Sequence, residues 1–143
     1  MTLAELIASD PNLSLINQAL INSGLIKEIS GKGPYTVFVP TNEALEKEFS
    51  NPSLGVTKEQ FLNDLQNLKH IGQYHIVENK SITSRQVRED MSVETKSGEI
   101  IDLSYENDIF RAGGATVIGR DKLADNGVLH IIDKVLMPVK ALA

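Results

Sequence analysis

One stretch constrains this chain more than any other: Asn126-Gly127-Val128-Leu129-His130-Ile131-Ile132-Asp133-Lys134-Val135-Leu136-Met137-Pro138. It is almost wholly apolar, yet it carries a histidine, an aspartate and a lysine and stops on a proline. Polar groups within such a run are costly to bury without partners, so the fold must supply something specific to them. From Val128 to Leu136 both alternating faces are apolar, which predicts a central strand covered on both sides. The same alternation sets His130 and Asp133 on opposite faces, so they are not a base with its orienting carboxylate. Lys134 is expected to reach solvent through its long stem.

The first half reads mainly as helix. Leu3, Leu6 and Ile7 form a short apolar face that ends near Asp10-Pro11, where proline suits the first turn of a new helix. Leu13, Ile16, Ala19 and Leu20 then recur at helical spacing, and Gly24 supplies a left-handed stop. After a turn through Ser30-Gly31-Lys32-Gly33-Pro34, the β-formers Tyr35 to Val39 are halted by Pro40. Thr41 can cap a helix carrying Ala44, Leu45 and Phe49, and Asn51-Pro52-Ser53 reads as a loop. Thr57-Lys58-Glu59-Gln60 has the capping-box pattern, with Phe61, Leu62, Leu65 and Leu68 continuing one helix. Tyr74-His75-Ile76-Val77 reads as a strand, and Thr83-Ser84 as the start of a short helix through Val87.

The second half changes period. Short strands are expected at Val93–Thr95, Ile100–Tyr105, Ile109–Ala112 and Ala115–Ile118, joined by turns at Lys96–Glu99 and Glu106–Asp108. Helices first and a meander afterwards predict an α+β fold, and the 143 residues fit one domain spanning 1–143.

Composition narrows the function classes. The chain is 41% hydrophobic and 23% charged, the balance of an ordinary globular protein. A formal net charge of -5 without a Lys/Arg cluster opposes binding to nucleic acid or anionic membranes. No apolar run approaches the roughly 18 residues of a membrane-spanning helix, so no membrane insertion is expected of this chain. Met1 to Glu5 lack the basic start and apolar stretch of a secretory signal. With no cysteine there is neither disulfide nor thiol chemistry to read.

Three segments stand out together. Thr36-Val37-Phe38-Val39-Pro40-Thr41-Asn42-Glu43-Ala44-Leu45 resembles the first homology box of fasciclin-like domains, and Gly127 to Pro138 resembles the second. Between them, Tyr74-His75 matches the tyrosine–histidine motif of that family. Their order and distances fit one complete domain. The resemblance implies a β-wedge or sandwich with several helices packed along it. It also implies a non-enzymatic role in cell adhesion or extracellular binding, toward a cell-surface or matrix protein or a polysaccharide. The expected place is extracellular, periplasmic or at the cell surface, with any export signal outside this chain. No cofactor is implied. A second reading is small-molecule or lipid binding in an apolar cavity.

The resemblance also assigns roles residue by residue. The motif histidine of the family is a buried structural group near the first box, which implies that His75 pairs with Asn42, Thr41 or a backbone carbonyl close to Pro40. The Tyr74-His75 pair has in addition been treated as an adhesion motif. Animal members carry Asp-Ile integrin motifs just before the second box; here Asp121 and Leu123 match, but Lys122 stands where an apolar residue is expected. The plainer expectation for Gly119 to Asp125 is a loop with a capping Asp121. Asn42, His75, His130 and Asp133 are expected to be structural.

Catalytic and metal signatures are missing from the sequence. His70 and His75 lie five apart, a spacing that makes no local chelate on a helix or a strand. There is no His-Glu-x-x-His, no Gly-x-Ser-x-Gly elbow and no phosphate-binding glycine loop. Asn12-Leu13-Ser14 and Asn79-Lys80-Ser81 fit the N-glycosylation pattern, which has meaning only in a eukaryotic secretory pathway.

Overall fold

The computed structural model describes residues 1–50, 57–87 and 91–136. Six helices and seven strands are described: α1 (Leu3–Ser9), α2 (Ser14–Ser23), α3 (Leu25–Glu28), β1 (Tyr35–Pro40), α4 (Asn42–Phe49), α5 (Lys58–Asn63), α6 (Leu65–Gln73), β2 (Ile76–Glu78), β3 (Met91–Glu94), β4 (Ile100–Glu106), β5 (Ile109–Ala112), β6 (Ala115–Ala124) and β7 (Gly127–Ile132). Single 3-10 turns lie at Pro11–Leu13 and Ser84–Gln86.

Local chemistry sets the helix ends. Thr2 and Glu5 close a reciprocal capping box on α1. Asp10 accepts from the Asn12 amide and leads into a turn that opens on Pro11. Gly24, at φ +80°, ends α2 in the left-handed conformation that glycine takes without a Cβ penalty. The single helix expected from Thr57 to Leu68 is instead two. Asp64 adopts a non-helical backbone and caps α6 by accepting from the Asn67 amide, which breaks the run between α5 and α6.

The strands form one sheet in the order β2-β1-β7-β6-β5-β4-β3. β7 lies in its interior, parallel to β1 from Tyr35↔Gly127 to Pro40↔Ile132 and antiparallel to β6. Every residue of β7 is buried, as its two apolar faces require. The sheet curls until its ends approach: the Lys96 amide, just past β3, donates to the Ile76 carbonyl of β2 at 2.7 Å. The Lys96 ammonium then holds Glu78 at 2.9 Å and Glu28 at 3.2 Å.

Alternation along β1 and β7 divides the core in two. Val37, Val39, Leu129 and Ile131 pack against helix residues including Leu20, Leu25, Leu68 and Ile71. Phe38 and Ile132 face the other way, into the curl of the sheet with Val93, Leu103 and Phe110. The result is an α+β wedge with helices on one side and a side-chain-filled curl on the other.

Three expected elements move. Tyr74 and His75 end α6 rather than open a strand, because the Tyr74 amide still bonds helix carbonyls and β2 begins only at Ile76. Gly119 to Ala124 form no loop: β6 runs on through them, absorbing register shifts on either side of Gly119. The final strand stops at Ile132, where Asp133 turns to exchange backbone and side-chain bonds with Thr116. The Asn51-Pro52-Ser53 loop and Met137-Pro138 lie outside the described residues.

Candidate functional site

His75 is buried and uses both ring nitrogens on the backbone. Nδ1 donates to the Ile71 carbonyl at 2.7 Å, and Nε2 accepts from the Leu136 amide at 3.0 Å. This corrects the expectation of a bond to Asn42, Thr41 or a carbonyl near Pro40. The helical end geometry of Tyr74-His75 aims the ring at its own preceding turn and at the segment after β7. Asn42 works elsewhere: its Oδ1 accepts from the Leu15 amide at 2.9 Å, and its Nδ2 donates to Ser14 Oγ and to the Pro11 carbonyl. It joins the start of α4 to the start of α2. Tyr74 is half-buried, with its hydroxyl 3.5 Å from the Ile100 carbonyl.

His130 lies under β6 with no exposed surface. Its ring stacks on Phe38 at 5.3 Å and meets Phe110 edge-on at 5.0 Å. Nε2 donates to the Ile82 carbonyl at 2.7 Å, and Nδ1 accepts from the Asp121 amide at 3.1 Å. The Asp121 carboxylate points away and takes the Ser84 amide at 2.7 Å and the Ser84 hydroxyl, capping the 3-10 turn. His, Asp and Ser thus sit in series, but the connections are those of a brace. The serine is bonded to the aspartate side chain, and the histidine bonds backbone groups, the Asp121 amide and the Ile82 carbonyl. Burial depresses His130 below the usual histidine range, opposed by its bond to Ile82 and the charge of Asp121. Burial likewise lowers His75, to about 4. Desolvation raises the Asp121 pKa, but its Ser84 bonds win, and the net shift is downward.

Asp121 and Leu123 do meet in one place. With Thr83 and Arg85 they line an open groove of about 370 Å³ between the 3-10 turn and β6. Leu123 is 71% exposed there, and Arg85 has no ion-pair partner among the described residues. The Asp121 carboxylate is already occupied by Ser84, so the groove offers a leucine side chain and a guanidinium. The apolar space between helices and sheet, beside His75 and Leu45, amounts to only about 20 Å³. That holds one water, far below the roughly 300–1,000 Å³ of a small-molecule site. Among the described residues no three His, Asp or Glu side chains converge as metal ligands.

Two polar residues that tie the fold together escaped the sequence reading. Buried Asn126 accepts from the Leu3 amide and donates to the carbonyls of Ile29 and Gly31, each at 2.9 Å. Thr36 Oγ1 accepts from the Ile82 amide at 2.8 Å and donates to the Lys80 carbonyl. The available signal was their type: an amide ahead of Gly127, and a hydroxyl in an otherwise apolar strand.

These features define a class: an α+β wedge whose buried polar side chains brace the fold and whose open groove lies at its surface. The chain belongs to the fasciclin family, whose Fasciclin domain pattern matches residues 11–138. It is 34% identical over 139 residues to Protein sll1483 of Synechocystis sp., covering 96% of this chain and 74% of that protein. Identity to human periostin is 30% over 141 residues, and to the transforming growth factor-beta-induced protein ig-h3 of Sus scrofa 29% over 138. The chain spans only 16% and 19% of those two relatives. Among solved structures, a FAS1 domain pair from the insect cell adhesion molecule fasciclin I superposes with a TM-score of 0.80 at 20% identity, covering 100% of this chain and 53% of that one. That likeness shows the fold.

Proposed function

We propose that this chain is a non-enzymatic adhesion module acting outside the cytoplasm, and that it binds a surface or matrix protein or polysaccharide through the groove beside Leu123. The observation that carries the reading is the contrast between surface and interior. A leucine stands 71% exposed next to Arg85, while the apolar space beside His75 and Leu45 amounts to only about 20 Å³. In that groove the leucine and the guanidinium together offer a partner an apolar contact and a charge. The fold shared with an insect cell adhesion molecule supports the same direction.

The test is solid-phase binding of the purified chain to immobilised matrix proteins and to neutral and acidic polysaccharides, with Leu123→Asp and Arg85→Glu alongside. Saturable binding that drops tenfold or more in both variants is the expected result. Binding to none of the panel, or binding indifferent to both substitutions, would overturn the proposal.

A further inference from the structure

His130 lies beneath the groove and is linked to both of its walls. The Asp121 amide donates to His130 Nδ1, and the Asp121 carboxylate accepts from the Ser84 amide and hydroxyl at the head of the turn that carries Arg85. Because Nδ1 must offer a lone pair to that amide while Nε2 donates to the Ile82 carbonyl, the ring is neutral with its proton on Nε2. A doubly protonated ring would turn an N–H toward the Asp121 N–H, and the bond would become a repulsion.

The backbone at this point is poised. Asp121 sits at φ +58°, inside the irregular stretch of β6 between Gly119 and Lys122. Aspartate enters that conformation more readily than most residues, and the bonds to His130 and Ser84 hold it there.

We propose that protonation of His130 releases Asp121 and reshapes the groove, making the docking surface acid-operated. Once Nδ1 carries a proton, the Asp121 amide has lost its acceptor, and the carboxylate of the same residue is the nearest counter-charge for the imidazolium. Turning inward, that carboxylate leaves Ser84 and uncaps the turn bearing Thr83 and Arg85. The β6 wall, with Leu123, shifts with it. The inference rests on the groove being the docking surface, but its test needs no ligand, so the two ideas fail separately.

The groups facing the ring make the change specific. From β1 and β5 it meets the Phe38 and Phe110 rings, which do not titrate. From the segment ahead of the 3-10 turn it meets the Ile82 carbonyl. From β6 the charged group is Asp121, which favours protonation, and Arg120 acts in turn on the Asp121 carboxylate. Burial outweighs these, so the ring is neutral at neutral pH and charges only on acidification. His75, though also buried and neutral, is bonded to Ile71 and Leu136 and has no link to the groove.

The experiment follows backbone amides and histidine ring nitrogens by NMR as the pH is lowered from about 7.5 to about 4.5, across the histidine range. The expected result is that the Asp121 and Ser84 amides move together with the His130 ring, at a midpoint below 6.5, while the Leu136 amide follows the separate titration of His75 near 4. In Asp121→Asn, which keeps the amide and removes the charge, the ring midpoint moves lower and the Ser84 amide no longer follows it. The proposal is overturned if the ring titrates with the Asp121 amide unmoved. It is equally overturned if Asp121, Ser84 and Leu136 all change in a single unfolding step, or if Ser84 follows the ring unchanged in Asp121→Asn.

Discussion

His75 and Leu136, separated by 61 positions in sequence, are joined by a single bond of 3.0 Å in which the leucine amide donates to the histidine Nε2. The imidazole thus anchors the segment that follows the central strand to the end of α6. Removing it in His75→Ala leaves the buried Leu136 amide without an acceptor. We expect a loss of about 1–3 kcal/mol from that amide, with a further cost for the emptied space. Unchanged urea midpoints in the variant would show that the bond contributes nothing.

Stability should fall on mild acidification. The folded pKa of His75, about 4, and that of His130 both lie below the 6.5 of an unperturbed histidine. Below 6.5 the unfolded chain takes up protons that the folded chain refuses, so stability is complete above that pH and declines as pH falls toward 4. Each histidine contributes a slope approaching about 1.4 kcal/mol per pH unit. Urea denaturation at neutral pH and near pH 5 should show the lower midpoint in acid, and His75→Gln should flatten the difference. Equal wild-type midpoints at both pH values would contradict this account.

Asn126→Ala should be among the most damaging single changes. It removes three bonds of 2.9 Å and leaves the Ile29 carbonyl and the Leu3 amide to be satisfied some other way. A loss of about 3 kcal/mol is expected, since buried groups left unpaired cost about 1–3 each and relaxation recovers part of the total. Asn126→Asp keeps the acceptor for Leu3 but replaces the nitrogen that makes both donations with an oxygen that both carbonyls repel, so it should be no better. Calorimetric melting of both variants checks the ranking.

Two glycines should respond very differently to alanine. A Cβ at Gly127 would collide with the backbone carbonyl of Tyr35 across the parallel β1–β7 pair, and a backbone cannot step aside as a side chain can. Gly127→Ala should cost about 3 kcal/mol or more, or prevent folding. At Gly98 the space is open and only the left-handed φ of +90° resists substitution. Gly98→Ala should cost about 1–2 kcal/mol. Comparable losses at both sites would mean that close strand approach does not set the requirement at Gly127.

The parts of this fold legible in the sequence were those carried by periodicity and strong local signals. β1 and β7 were visible as apolar runs, and the meander from Ile100 to Ile118 as alternation between turns, so the α+β class followed. The continuation of β6 was hidden because Gly119 to Lys122 break alternation, and a bulged strand then looks like a loop. Tyr74-His75 looked like strand because an aromatic residue beside Ile76 and Val77 has β character; only the Tyr74 amide's bonds to helix carbonyls place the boundary. Asn126 was illegible for another reason: its partners lie 123, 97 and 95 residues away. The groove could be anticipated only in part, since Asp121 and Leu123 carried a family pattern whereas Thr83 and Arg85 join them through the bulge.

The position of β7 has a consequence for how the chain is made. β1 is complete by residue 40, yet one of its two neighbours is assembled from residues 127–132. During synthesis, β1 must wait with one edge open while the intervening segments emerge, because the strand that fills the gap is the last of the described strands to be made. A pairing between such distant segments is slow to form, and an apolar strand edge kept waiting is exposed to wrong partners. The late strand acts as a keystone, and the nascent chain before it arrives is the state in which chaperones would find the most to hold.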